Sequence, residues 1–325
     1  MGGLIVAVDG GGSKTDVVAL RVDGSIAGTA RGRATNPQVE TLPVAVTRID
    51  AAVEEATGGA EVAHASVYLA GLDLGIEIDR FTAAVAPLRW ARNGLAVDND
   101  LFALLRTGTE SPDAVAVVCG TGINAVGVRA DGATARFPAL GTVTGDWGGG
   151  SGLMLAALWH AARAEDGRGP ATALVGVLPP ALGLPSVQAI GEAILLGELP
   201  PAALTPLAPL LFEVAVAGDA IAGHLLDRQA EEIATMARVC AERLGLESAG
   251  LPVVLGGGLI RSGERRLLDP VEARLESMLP GAQPVMVAEA PIVGAGLGAL
   301  AAAGADAAAL ERARPALSAL DAQLV

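Results

Sequence analysis

Apolar and polar positions fall into short blocks along this chain. Leu4–Val8 and Val17–Val22 are near-continuous apolar runs separated by Gly10–Gly12, and Asp23-Gly24 then leads to Ile26. Short runs rich in Val and Ile, bounded by glycines or Asp-Gly, predict strands joined by hairpins. The layout returns later: Ala114–Val118, then Gly120-Thr121-Gly122, then Ala125–Val128, then an Asp131-Gly132 turn. A layout repeated without repeated sequence predicts two similar α/β halves. Further strands are predicted at Ala65–Leu69, Leu95–Val97 and Pro252–Leu255. Helical spacing is read near Thr41–Ala56, at Leu101–Leu105, at Leu153–Ala164 and over Asp219–Leu244, where Gly245 supplies a C-terminal stop. Residues 170–210, rich in Ala, Leu and Pro, predict short helices joined by Pro-rich turns. Gly294–Ala303 and the tail predict two last helices.

Composition narrows the function. The 325 residues are 51% hydrophobic, but only three Trp, one Tyr and four Phe are aromatic, so Ala, Val and Leu must fill the core. A net charge of −14 leaves no basic footprint and argues against nucleic-acid binding. Cys119 and Cys240 are too few and too scattered for a disulfide framework or a zinc site. No signal peptide or run of about 18 apolar residues is seen, which predicts a cytoplasmic protein without a membrane span.

The chemistry concentrates at the glycine turns. Asp9-Gly-Gly-Gly-Ser-Lys-Thr-Asp16 holds the only lysine of the chain. Glycines let the backbone approach a ligand, and N–H groups beside Ser13, Lys14 and Thr15 would suit a polyphosphate. Asp9 could hold hydrated Mg²⁺; an ordinary glycine hairpin is the competing reading. Asp98 and Asp100 lie between a strand and a helix, where Asp serves either as a base or as a cap. His64, His160 and His224 stand in unrelated contexts and read as ordinary surface or core histidines.

Five motifs in order carry a resemblance: the Asp9–Asp16 segment, Val97-Asp-Asn-Asp-Leu-Phe-Ala103, Cys119-Gly-Thr-Gly-Ile-Asn124, Val253-Val-Leu-Gly-Gly-Gly258 and Pro291-Ile-Val-Gly-Ala-Gly296. The chain resembles the sugar kinase, Hsp70 and actin superfamily, and within it the N-acetylglucosamine kinase branch grouped with BadF/BadG/BcrA/BcrD-type ATPases. The resemblance implies an α/β fold of two ribonuclease H-like lobes (the actin-like ATPase fold), with a nucleotide cleft between residues 1–107 and residues 108–325. It implies ATP and Mg²⁺ as cofactors. Gly11, Gly12, Ser13, Lys14, Thr15, Gly120, Thr121 and Gly122 would meet the phosphates, and Gly256, Gly257 and Gly258 the adenosine. Asp100 takes the position of the general base, and Asn36, Gly71, Gly145 and Asp146 positions that bind the sugar. A homodimer is the assembly common among similar kinases.

Departures from the branch fall on the acetamido pocket. Ala70-Gly71 replaces a Ser-Gly pair, Ala139-Leu140 a Gly-Trp pair, and Gly145-Asp-Trp-Gly-Gly149 a Gly-Asp-Glu-Gly-Ser loop; Trp147 could supply a replacement apolar wall. The expected activity is transfer of the ATP γ-phosphoryl group to an amino sugar or related hexose, N-acetylglucosamine or glucosamine first. One alternative is an ATPase activase of a radical dehydratase or reductase, suggested by Cys119 beside the second glycine turn but lacking the second cysteine some forty residues onward. A sugar-binding homologue without catalysis is another, and a sugar-responsive repressor lacks both a helix-turn-helix and a basic surface.

Overall fold

The computed structural model describes residues 2–12 and 14–323, with the side chains of 321–323 left aside. The first sheet contains β1 (Leu4–Gly10), β2 (Lys14–Leu20), β3 (Ile26–Arg33), β4 (Val62–Leu69) and β5 (Leu95–Asn99), in the order β3-β2-β1-β4-β5. β1 pairs antiparallel with β2 and parallel with β4; β2 and β3 are antiparallel, β4 and β5 parallel.

Both faces of this sheet are covered, which explains why β1 reads as a continuous apolar run and not as an alternation. Val6 and Val8 face one core with Ile49 and Val53 of α1 (Leu42–Thr57) and Phe81 and Val85 of α2 (Gly75–Val85). Ile5 and Ala7 face another, with Ala103 of α3 (Asp100–Gly108).

The second sheet contains β6 (Ala114–Cys119), β7 (Ile123–Val128), β8 (Thr134–Arg136), β9 (Pro252–Gly256) and β10 (Gln283–Met286), in the order β10-β9-β6-β7-β8. Between β8 and β9 run α4 (Gly149–Glu165), α5 (Leu174–Ala181), α6 (Val187–Leu195), α7 (Ala208–Val216) and α8 (Ala220–Leu244). Asp219 caps α8 by accepting from the N–H groups of Ile221 and Ala222, and Gly245 ends it with φ +64°. After β9 come α9 (Gly258–Arg261), α10 (Arg265–Met278), α11 (Ile292–Ala302) and α12 (Ala307–Gln323).

The chain divides into two compact units. The first takes Met1–Ala116, Val126–Pro138 and Val285–Val325, the second Val117–Ala125 and Ala139–Pro284. A single cut after residue 107 differs from this division: α11 and α12 pack on the first sheet, where Val293, Leu300 and Leu317 join the core of Ile5 and Val18.

Candidate active site

In the first unit, the β1–β2 hairpin closes with Gly10 opposite Thr15 and the Gly11 N–H donating to the Lys14 carbonyl at 2.9 Å. A Cβ on Gly12 would meet nothing within 4 Å, and one on Gly11 only an ordinary contact, so neither glycine is demanded by protein packing. Ser13 lies outside the described residues. The Thr15 hydroxyl turns inward, donating to the Arg33 carbonyl at 2.8 Å, with the Thr35 hydroxyl in hydrogen-bond contact at 2.7 Å. Lys14 Nζ lies 2.7 Å from Asp16, which also receives Arg31 at 2.5 and 3.0 Å. Burial works to raise the Asp16 pKa, but hydrogen bonds from Arg31 and Lys14 hold it below the usual range. Asp9 is buried at the end of β1, opposite Asp16.

Asn36 and Gly71 meet. Gly71 has φ +77°, and a Cβ there would fall 2.1 Å from Asn36 Oδ1, so only glycine leaves the amide in place. Asn36 Oδ1 accepts from the Gln38 N–H at 2.9 Å. Gln38 Nε2 donates to Asp73 at 3.1 Å and to Glu77 at 3.0 Å, and Asp73 accepts from Asn99 Nδ2 at 3.0 Å. This network ends beside Asp100.

The turn from β5 into α3 separates the three polar residues 98–100. Asn99 is the N-cap, its Oδ1 accepting from the Leu101 N–H at 2.9 Å. Asp98 accepts from Arg136 at 2.7 and 3.0 Å and from the Asn99 N–H at 2.7 Å. The Arg136 guanidinium also sits 4.3 Å over the Phe102 ring. Asp100 opens the first turn of α3, with no ion pair to it among the described residues. Burial pushes its carboxyl up to about 6, against the opposing backbone N–H groups of Asp100 and Leu101.

In the second unit, the β6–β7 hairpin is locked to the start of α4. Gly120 O accepts from the Gly150 N–H at 2.7 Å and Thr121 O from the Ser151 N–H at 2.9 Å. A Cβ on Gly149 (φ +65°) would lie 2.3 Å from Gly122, and one on Gly257 (φ +95°) 2.4 Å from Cys119. These two glycines are required by backbone packed on backbone. Positions 122 and 258 are different, since a Cβ at either meets nothing within 4 Å. Gly256 ends β9.

Asp146 accepts from Thr144 Oγ1 at 2.7 Å after Gly145, which has φ +86°. It lines a cavity of about 600 Å³ with Thr121, Gly122 and Trp147. His160, His224 and Arg228 line it too. Nothing in their sequence spacing marks them, because α4 and α8 are far apart along the chain. Gln38, Asp73 and Arg136 escaped the sequence reading for the same reason.

Cys119 and Cys240 are both buried and unbonded, and burial pushes each thiol up to about 12. Among the described residues no cluster of His, Cys, Asp and Glu could hold a metal ion, and no single helix is long and apolar enough to cross a membrane.

A relative from Dictyostelium discoideum, N-acetyl-D-glucosamine kinase, is 28% identical over 323 residues, covering 91% of this chain and 98% of that protein. A solved Chromobacterium violaceum structure, of a protein whose N-acetylglucosamine kinase activity is inferred, aligns with TM-score 0.70 and 24% identity over 92% of this chain and 99% of that one. A ROK family glucokinase from Streptomyces griseus, solved with glucose and AMPPNP, aligns with TM-score 0.55 and 21% identity over 93% and 98%. The fold is therefore the α/β, two-sheet fold of these kinases. The BadF/BadG/BcrA/BcrD ATPase family model matches residues 6–299, and the chain belongs to that family.

Proposed function

We propose that this protein is an ATP-dependent sugar kinase acting on an amino sugar or related hexose, N-acetylglucosamine or glucosamine first, with Asp100 as general base. The observation that carries the reading is the isolation of Asp100: Asn99 does the capping and Asp98 is held by Arg136, while among the described residues no ion pair reaches Asp100, whose carboxyl is pushed up to about 6. A base works best when its pKa lies near the working pH. The named kinase relatives and the ATPase family support the same reading.

In the reaction the sugar hydroxyl gives its proton to the Asp100 carboxylate and its oxygen bonds the γ-phosphorus. The bond from that phosphorus to the bridging oxygen breaks, and ADP leaves with the electron pair. The roles are spread over a 1–107 lobe and a 108–325 lobe. Gly11, Gly12, Ser13 and Lys14 on the first hairpin, and Gly120, Thr121 and Gly122 on the second, flank the phosphate; the Gly11 and Gly120 N–H groups close the hairpins, so the other backbone N–H groups and the lysine hold it. Thr15 contributes through its backbone, because its hydroxyl is already committed. Gly256–Gly258 take the adenosine, with position 258 open to a neighbour.

Asn36, Gly71, Gly145 and Asp146 position the sugar hydroxyls. The hard carboxylate oxygens of Asp9 suit Mg²⁺, which would neutralise phosphate charge when bound. A homodimer in the cytoplasm is the assembly and setting that go with this reading. The activase alternative is weakened by Cys119, whose buried, strongly protonated thiol is a poor cluster ligand.

The test is detection of the phosphorylated sugar by mass spectrometry, followed by a pH profile. The base acts ionised, so kcat/KM should fall about tenfold per pH unit below about 6 and level off above it. A profile flat from pH 5 to 8 would remove Asp100 from the role.

A further inference from the structure

Three segments far apart in sequence meet at one carboxylate. Asp73 lies between β4 and α2, and its two oxygens are divided. Oδ2 accepts from Gln38 Nε2 at 3.1 Å, and Oδ1 accepts from Asn99 Nδ2 at 3.0 Å. Glu77 fixes the backbone beneath it, its Oε2 accepting from the Asp73 and Leu74 N–H groups at 3.0 and 2.9 Å. The preceding residue, Leu72, is buried in the core with Val8 and Phe81.

Neither amide can be turned round. Asn99 Oδ1 takes the Leu101 N–H, so Nδ2 must face Asp73, and Gln38 Nε2 faces the carboxylates of both Asp73 and Glu77. Capping α3 needs only the Asn99 oxygen. The second bond, from Nδ2, runs instead to a segment fitted to Asn36: Gly71 packs against the Asn36 amide, and the Gln38 N–H donates to Asn36 Oδ1. Hydrogen bonds to a carboxylate are stronger than those between neutral groups, so an aspartate at 73 stiffens both links more than an amide would.

We propose that Asp73 is a positioning residue: through Asn99 it fixes the turn that carries Asp100, and through Gln38 it ties that turn to the Asn36 segment that meets the sugar. Its effect on catalysis passes through Asp100; this rests on the sugar-kinase reading above.

The test is a double-mutant cycle of Asp73→Ala with Asp100→Asn, read as transfer of radiolabelled phosphate to N-acetylglucosamine or glucosamine. Alone, D73A should lower kcat about tenfold or more while KM for sugar and for ATP moves less than about twofold. In the D100N background it should lower kcat less than about twofold further, because the group it positions is already gone. Asp73→Asn, which keeps the side-chain size and one acceptor, should lose less than D73A, and it replaces D73A in the cycle if that variant does not fold. An equal loss in both backgrounds, or a rise in KM with kcat unchanged, overturns the proposal. Should wild type phosphorylate neither sugar, the kinase reading fails separately, and carbon-13 NMR titration of the Asp100 carboxyl then decides. A fall of about half a pH unit or more in D73A or D73N supports the positioning role, since a loosened turn admits water to the carboxylate; an unmoved titration overturns it.

Discussion

Asp98, Asn99 and Asp100 are consecutive polar residues, and each is settled by a different neighbour. Asp98 is matched by Arg136, Asn99 by the Leu101 N–H and Asp73, and Asp100, among the described residues, by neither cation nor cap. A raised carboxyl pKa is also a statement about stability. The folded value is about 6 and the ordinary value 3.8, so between roughly pH 4 and 6 the folded state binds more protons than the unfolded one. Stability from this group is therefore highest below pH 4, falls as pH rises, and its cost is complete above pH 6. Asp100→Asn removes that cost. We expect the variant to be more stable than the wild type by about 1–3 kcal/mol at pH 7.5, with the gain vanishing by about pH 4. Urea unfolding at the two pH values checks this; a variant less stable at pH 7.5 would mean that the Asp100 carboxylate is stabilised by interactions of its own.

At the scale of elements, the two glycine hairpins differ in what makes glycine necessary. The sequence reading attributes the glycines at 11–12, 120–122 and 256–258 to ligand approach. Gly257, and Gly149 at the start of α4, also admit the backbone of residues 119 and 122, joining α4, β6 and the β9–α9 turn. Gly149→Ala or Gly257→Ala, each at positive φ and with a contact near 2.4 Å or less, should destabilise by more than about 3 kcal/mol. Gly12→Ala, which meets nothing, should unfold within about 1 kcal/mol of wild type and still weaken ATP binding. Thermal melts with and without ATP separate these; equal melting losses at all three positions would contradict the distinction. At α3 the cap is equally testable. Asn99→Ala should cost about 1–2 kcal/mol in urea unfolding, since it removes the capping oxygen and one hydrogen bond to Asp73. A neutral result would place the helix's stability elsewhere.

At the scale of the whole molecule, most elements were legible because their signals are local. The strands from Leu4 to Leu69, the 219–244 helix and its glycine stop all follow from short-range pattern. What was not legible depends on partners far along the chain. The order β3-β2-β1-β4-β5 and the packing of 285–325 on the first sheet are set by non-local pairing. Helix α10 went unread because Pro270 sits inside it and breaks the expected pattern. Helix α4 begins at Gly149, not Leu153, because its first glycines are held by Gly120 O and Gln229 Oε1.

The candidate site divides the same way. The motif residues Asn36, Gly71, Asp100 and Asp146 were visible in sequence. Gln38, Asp73 and Arg136, and the cavity walls His160, His224 and Arg228, come together only in three dimensions.

The central claim is sugar-dependent phosphoryl transfer through Asp100, and ADP release tests it most directly. The assay compares N-acetylglucosamine, glucosamine, glucose, N-acetylmannosamine and sugar-free buffer, in wild type and Asp100→Asn. The account predicts that an amino sugar stimulates ADP release and that the substitution lowers the stimulated rate about 10²–10⁴-fold while the protein stays folded. ATP hydrolysis indifferent both to every sugar and to the substitution would contradict it.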